Sequence, residues 1–510
     1  MKKRLFFLLV ACVLILVACK KEDKQEIVIE EDYEEEIETL EPLTSEEYDR
    51  LWPNAKKLVW IVEKGVTVDV DPEIFIRFND LLLEKGADFV VEFIGIDIID
   101  AENYQSKIRD MKAKGEQVDL LNTGGSSTHN TYFEAINDDL LVSIDSYLET
   151  EDGQRLFNKF DHKTWERVKV DNHIYGFFNT PILTMPKYVY LNNAFVNKYN
   201  VSLPNEIRNL YEMEDVLELF VNAHEEDDEF IPFYIRLVDY KELTEYAYFE
   251  NGIAVRYNEK GVPYAYNPYE QTDILELMSI LAHYSKNGYL VSEVDTAFKV
   301  MQGDFFAVVG SYSPTHYHDG KYDTGEKIVE VSAFKINDGY VSIPYLVDGI
   351  ASWSRHKDEA FKLLTMLNTD SDLSNLLRFG IEGKHYELDN GEVKHLDHKH
   401  RIPGYYSPAN ELITHPIGLE PPNKEQVYKE LNASAQMSPI AGFTLDESSI
   451  ATELETIKGI YDKYENLWTG KEQDVDASLA MANKELQDAG IGKVLVEINH
   501  QLEVWWESKQ

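Results

Sequence analysis

The chain has 510 residues, more than one hydrophobic core normally serves, so two packed units are expected. Hydrophobic residues make up 44% and aromatic residues 12%, which excludes wholesale disorder. Asp and Glu number 92 against 49 Lys and Arg, and the net charge of −43 repels nucleic-acid backbones and anionic lipid faces alike. The only cysteines, Cys12 and Cys19, lie at the N-terminus, so the body has no thiol for a disulfide, a metal or a nucleophile.

Lys2, Lys3 and Arg4 form a basic start, followed by the unbroken apolar run Leu5 to Val17. As a helix that run reaches roughly 20 Å, short of the ~30 Å hydrocarbon core, and so reads as a secretory signal. It ends in Leu16-Val17-Ala18-Cys19, which resembles the lipobox of bacterial lipoproteins. That resemblance implies cleavage before Cys19 and lipidation of its thiol, with the processed chain anchored to the extracytoplasmic side of the cell membrane. Residues 1–18 are then a signal peptide and 19–53 a lipidated tether. Fourteen acidic residues lie between Glu22 and Asp49, without apolar periodicity, and predict an extended spacer.

Lys57 to Glu63 reads as a buried strand, and Asp71 to Lys85 as a helix with Phe75, Phe78, Leu82 and Leu83 on its apolar side and Gly86 as a stop. Phe89 to Ile94 is a second strand. Tyr104, Ile108 and Met111 mark a helix ending at Gly115, and Val118 to Leu121 is a third strand. This alternation predicts βαβ units and a parallel sheet. The loop Asn122 to Thr128, with Gly124-Gly125, follows a strand at the end where α/β sheets bind ligands.

From there the order of segments is recognisable. Val118 to Ser127, Leu141 to Leu148, Trp165, Asp171 to Gly176 and Tyr190 to Pro204 resemble, in sequence, the extracellular solute-binding proteins of bacterial ABC importers, family 1, carbohydrate type. Asp295 to Ser313 and Ile350 to Asp370 continue the resemblance. Leu376 to Leu388 and Ala489 to Trp506 resemble a lipoprotein subset with a C-terminal region of unassigned function. The likeness runs from about Lys57 to the end. Two departures stand near an expected crossing: Asn172-His173 in place of Gly-Lys, and Phe177-Phe178 where a proline is usual.

The resemblance implies an α/β, two-lobed periplasmic-binding-protein-like (type 2) fold with an interlobe cleft and extra C-terminal helices. Crossings are expected near Tyr175 to Tyr188, Glu330 to Tyr345 and Asn368 to Gly380. Lobe 1 is then 54–178 plus 342–370, and lobe 2 is 186–335 plus 380–510. Asp389-Asn390-Gly391 suits a hairpin turn. The C-terminal helices run from about Ser449 to Trp506.

A cleft of this kind closes on its ligand by hinge motion. Sugars require flat aromatic surfaces and convergent hydrogen-bonding groups, and an unpartnered buried hydroxyl costs about 1–3 kcal/mol. By predicted position the candidate ligand residues are Gly124, Ser126, Thr128 and Tyr132 from the first loop, and Asn179 and Thr180 at the first crossing. Ser311 and Tyr312 follow the strand Phe305 to Gly310, with Gly310 permitting a turn. Asp348 and Trp353 precede the returning helix, and Tyr405 and Tyr406 occupy a late loop. His395, Asp397, His398 and His400 cluster without metal-site spacing, and no metal or cofactor is expected. No GxSxG, HExxH, GxxxxGK[ST] or GxGxxG motif is present. The reading is a lipid-anchored, non-enzymatic binding protein that delivers an oligosaccharide to ABC permease subunits, with no nucleic-acid partner. The alternatives are a surface lipoprotein glycoside hydrolase, or an importer protein for a peptide or other polar solute.

Overall fold

In a computed structural model the strand Lys56–Glu63 is buried from Leu58 onward, as a parallel strand covered on both faces must be. It pairs in parallel with Phe89–Ile96, from Lys56 opposite Phe89 to Glu63 opposite Ile96, and with Leu120–Thr123 on its other side. The model describes residues 40–508 apart from 98–100, 124–130, 179–181, 224–229, 236–239, 250, 292–293, 342–346, 398 and 404–406. The connecting helix Pro72–Glu84 starts on an Asp71 cap bonded to the Glu73 amide and stops before Gly86, whose φ is +84°. Val347–Ile350 returns antiparallel to Leu120–Thr123, and Gly176–Phe178 pairs antiparallel with it. These five strands make the sheet of lobe 1.

The second sheet has seven strands. Leu290–Val291, Ile231–Ile235 and Phe305–Ser311 run parallel, and Lys187–Asn192 and Ile328–Asn337 follow antiparallel. Its core contains Phe233, Phe306 and Val309 together with Leu454, Ile457, Leu486, Val494, Ile498 and Leu502. The helices Ala451–Lys463, Val475–Asp488 and Ile491–Ser508 are thus built into lobe 2. Asn499 ties the last of them to the strand Pro263–Tyr266, accepting from the Ala265 amide at 2.7 Å and donating to its carbonyl at 3.1 Å.

Two expected boundaries are corrected. The tether does not extend to residue 53, because Ser45–Leu51 is a helix opened by a Thr44–Glu47 capping box. Its Tyr48, with Trp52 four residues on, packs on Val90, and the Trp52 indole donates to Asp80 at 3.0 Å. Nor does the chain enter lobe 2 near 380. Ile402 and Ala409 belong to the lobe 1 core, Lys384 Nζ lies 2.6 Å from Asp71, and the Asp71 amide donates to the His400 carbonyl. Residues 380–433 therefore cover lobe 1, and the last passage comes at 434–443.

Three passages join the lobes. Tyr340–Val341 pairs in parallel with Gln436–Met437, and Leu183, Val341 and Ala435 form a small buried cluster with Met437. The Leu183 amide donates to Asn432 Oδ1 at 3.0 Å, and the Thr184 hydroxyl donates to the Asp338 carbonyl at 2.7 Å. Asp171 and Asn172 both adopt positive φ, so Asn172-His173 belongs to a tight hairpin rather than to the hinge, and Phe177-Phe178 lies in the lobe 1 core. The Asn390-Gly391 turn likewise has positive φ at both residues.

A buried ion network fastens the 380–433 segment. Arg378 pairs with fully buried Glu420, which also holds Lys424 at 2.8 Å. Glu420→Ala leaves two buried cations without their carboxylate and is expected to cost roughly 3–5 kcal/mol in denaturant unfolding. Glu84→Ala, which breaks an exposed pair with Arg77, is expected to leave stability nearly unchanged. Equal losses in the two variants would refute the network's role.

Candidate functional site

The carboxyl ends of the parallel strands in both lobes are where an α/β cleft binds ligand. In lobe 2 that end is tyrosine-rich. Tyr188 and Tyr190 alternate along Lys187–Asn192, so both rings stand on one face, their centroids 5.9 Å apart. Tyr322 stacks on Tyr190 at 4.3 Å, Tyr317 lies 5.3 Å from Tyr190, and Tyr312 lies 5.2 Å from Tyr188. Tyr190 is fully buried, and the other four are partly exposed. Burial pushes the phenol pKa of Tyr188, Tyr190, Tyr312 and Tyr317 upward, so these hydroxyls stay neutral. The cluster offers ring faces with hydroxyl tips, the combination that suits a polyhydroxylated ligand.

Tyr312 is fixed by its amide, which donates to the Pro186 carbonyl at 2.7 Å. Gly310 is not the turn expected there. It remains in the strand, and a Cβ added to it would sit 3.1 Å from the Tyr322 hydroxyl and 3.2 Å from the Tyr190 ring. Its role is to let the tyrosines lie close. Ser311 Oγ accepts from Lys187 Nζ at 2.5 Å, and Lys187 also pairs with Glu242.

In lobe 1 the corresponding edge carries Glu63 at the end of its strand. Burial first, then the Asp97 charge, raise its carboxyl pKa. At the end of the strand Leu120–Thr123, Asn122 Nδ2 donates to Asp348 Oδ1 at 2.6 Å, and the Tyr104 hydroxyl donates to the Asn122 carbonyl at 2.6 Å. Asn122 Oδ1 is buried with no hydrogen-bond partner among the described residues.

Of the predicted site residues, Gly124, Ser126, Thr128, Asn179, Thr180, Tyr405 and Tyr406 lie outside the described residues, as does Cys19. Ser311 and Tyr312 stand together at the lobe 2 edge. Asp348 is buried in the sheet, where it supports Asn122 instead of facing the cleft. Tyr132 is fully buried, and its hydroxyl donates to the Val168 carbonyl and accepts from the Tyr175 amide, leaving no face for a ligand. Trp353 donates its indole N–H to the Glu116 carbonyl, before the strand Leu120–Thr123 begins, which puts it at the opposite end of the sheet. In the histidine-rich loop, Asp397 accepts from His400 at 2.8 Å; His398 is outside the described residues. Among the described residues no group of three or more His, Cys, Asp or Glu side chains is placed to hold a metal. Sequence reasoning missed Tyr188, Tyr317 and Tyr322. The Tyr-Val-Tyr alternation on one strand was the available signal.

Residues 439–507 match the family described as a domain of unknown function, DUF3502. The chain is 21% identical, over 89% of its length and 92% of the relative's, to a carbohydrate ABC transporter substrate-binding protein of Streptococcus pneumoniae. Among solved structures it aligns with the N-glycan transport solute binding protein NgtS of the same species at TM-score 0.70 and 19% identity, covering 89% of this chain and 100% of that one. It also aligns with an HMO-binding, ABC-transporter-associated solute binding protein of Bifidobacterium longum infantis at 0.60 and 13%, covering 88% and 99%. The two-lobed solute-binding-protein fold expected from the sequence is the fold of this chain, and the sequence resemblance to ABC-importer binding proteins holds along nearly its whole length.

Burial raises the Asp348 carboxyl to about 7, against the stabilising contacts of Asn122 and Trp60. The folded chain therefore holds that proton more tightly than the unfolded chain, and stability falls as pH rises from about 4 to about 7, by on the order of 1.4 kcal/mol per unit. Asp348→Asn removes this dependence. Melting curves at pH 5 and pH 8 should show the wild type losing more stability than the variant; parallel losses would refute the assignment.

Proposed function

We propose that this protein is an extracytoplasmic, lipid-anchored binding protein that captures an oligosaccharide in its interlobe cleft and delivers it to an ABC importer, performing no chemistry. The observation that carries the reading is the tyrosine cluster at the ligand-binding end of the lobe 2 sheet. The relatives named above are binding proteins for transport, which supports a carrier over a hydrolase. The pneumococcal relative aligns at 0.70 in one crystal structure and at 0.57 in its complex with Man5GlcNAc. One sequence recorded in two shapes supports hinge motion in such a fold. The three narrow passages between the lobes are where this chain would bend.

The anchoring step rests on Cys19 and the apolar run before it. Cys19→Ala is expected to abolish fatty-acid labelling and detergent-phase partitioning while leaving the folded body intact; unchanged labelling would refute lipidation at that residue.

The binding step is tested by incubating the processed protein with mixed glycans. Intact glycan recovered from the protein supports a carrier, and shortened products would refute that reading in favour of a hydrolase. Tyr312→Ala is then expected to weaken the recovered glycan roughly thirtyfold, equivalent to about 2 kcal/mol from an aromatic anchor. Its contacts with Tyr188 and Tyr317 make a loss of about 1 kcal/mol in ligand-free stability the companion expectation. A large stability loss with unchanged affinity would place Tyr312 in the core instead.

A further inference from the structure

Lobe 2 holds a cavity of about 260 Å³ that the tyrosine cluster does not include. It lies between the turn Lys241–Leu243, the bend at Asn251-Gly252, and residues 461–469 of the DUF3502 region. Tyr461 and Trp468 form a buried aromatic wall, each 6% exposed, while Lys241, Asp462 and Glu465 are exposed at the rim. We propose that this cavity is a subsite for one pyranose unit of the bound oligosaccharide, and that carrying its aromatic wall is a role of the DUF3502 region. The proposal rests on the oligosaccharide reading above for its source of ligand, but the chemistry of the pocket stands separately.

The wall is held rigid before any ligand arrives. Trp468 meets Tyr248 edge-on at 6.0 Å, and the Tyr269 hydroxyl donates to the Tyr464 carbonyl at 3.5 Å. Tyr269 meets Tyr461 edge-on at 5.1 Å, and the Tyr461 hydroxyl donates to Asn267 at 3.1 Å. Gly252, at φ +87°, braces the wall from the side by packing directly on Tyr461: a Cβ there would lie 2.8 Å from that ring. Aromatic groups fixed in this way lose little freedom on binding, so more of the contact energy remains for affinity.

The rim supplies hydroxyl-binding groups of the right kind. Asp462 is paired with Lys458 at 2.6 Å and keeps acceptor capacity, and the Glu465 carboxylate makes no hydrogen bond among the described residues. Asn251 adds a side-chain amide from the opposite side. The volume falls below the range of about 300–1,000 Å³ usual for larger ligands, which suits one sugar ring and not a chain of them. One chain of contacts runs from the cavity toward the tyrosine cluster. Lys241 lines the cavity, and the next residue, Glu242, pairs with Lys187, which donates to Ser311 beside Tyr312.

The test compares the processed full-length protein with an Asp462→Ala/Glu465→Ala double variant, whose changes are confined to exposed side chains. The glycan recovered above is titrated calorimetrically against a series trimmed one unit at a time. The expected result is that one trimming step costs the wild type about tenfold in affinity and the variant less than twofold. Equal losses at every step in both proteins would overturn the subsite. If no glycan binds the wild type, the transport reading fails, and a second arm decides the cavity alone. Saturation transfer is measured from each protein to free mannose, glucose, galactose and N-acetylglucosamine. A signal in the wild type that the variant loses supports the pocket, and no signal, or an equal one in both, overturns it.

Discussion

A buried backbone N–H or C=O must find a partner, and that requirement is most demanding where the chain leaves one sheet to enter another. Within each lobe the sheet ladders supply partners automatically. In the passages they do not, and this protein supplies them one at a time. Leu183 is bonded by Asn432, Asp338 by Thr184, and Ile182 by Arg167 at 2.6 Å, while Lys163 Nζ donates to the carbonyls of Ala433 and Ala435. Among the described residues the ladder between passages is the two-residue pairing of Tyr340–Val341 with Gln436–Met437. Few bonds and a small apolar cluster hold this joint, whereas each lobe is held by a large core of its own.

The joint also explains how the candidate site is supported. Tyr312 is tied through its amide to Pro186, the residue after the first passage, and Tyr188 follows two residues later. The aromatic face thus begins within two or three residues of the first passage. On the lobe 1 side, Asn122 and Asp348 join the ends of two neighbouring strands of the sheet. Sheet-held groups at the base of a cleft are positioned more accurately than groups carried by loops alone.

Much of the fold was legible because its signals are local. The apolar run of Lys56–Glu63, the Asp71 cap, the stop at Gly86 and the Asn390-Gly391 turn each depend on residues within one element. The errors arose where contact partners are remote in sequence. Nothing near Lys384 or His400 announces that both will meet Asp71, more than 300 residues earlier, so the 380–433 segment was assigned to the wrong lobe. Tyr48 and Trp52 stand four residues apart inside an acidic run whose charge masked their helical spacing. At the site, strand order put Tyr312 just after the strand Phe305–Ser311, yet the same reasoning could not tell that Tyr132 and Asp348 turn inward, since the direction of a side chain at a strand or helix end depends on register.

The C-terminal helices cannot be treated as an appendage with a separate task. Ile457, Leu486, Val494 and Leu502 share one buried cluster with Phe233 and Phe306 of the lobe 2 sheet, and Gly470 packs so tightly that an added Cβ would lie 2.4 Å from the Leu281 carbonyl oxygen. A region fused into the core in this way cannot act by undocking, because release would expose that apolar surface to water. It must act in place, through the surface it presents beside the lobe 2 sheet. Part of that surface is the wall formed by Tyr461 and Trp468, held by Tyr269 and Asn267 of the preceding turn. The same packing that makes the region inseparable from lobe 2 is therefore what holds its aromatic wall in place.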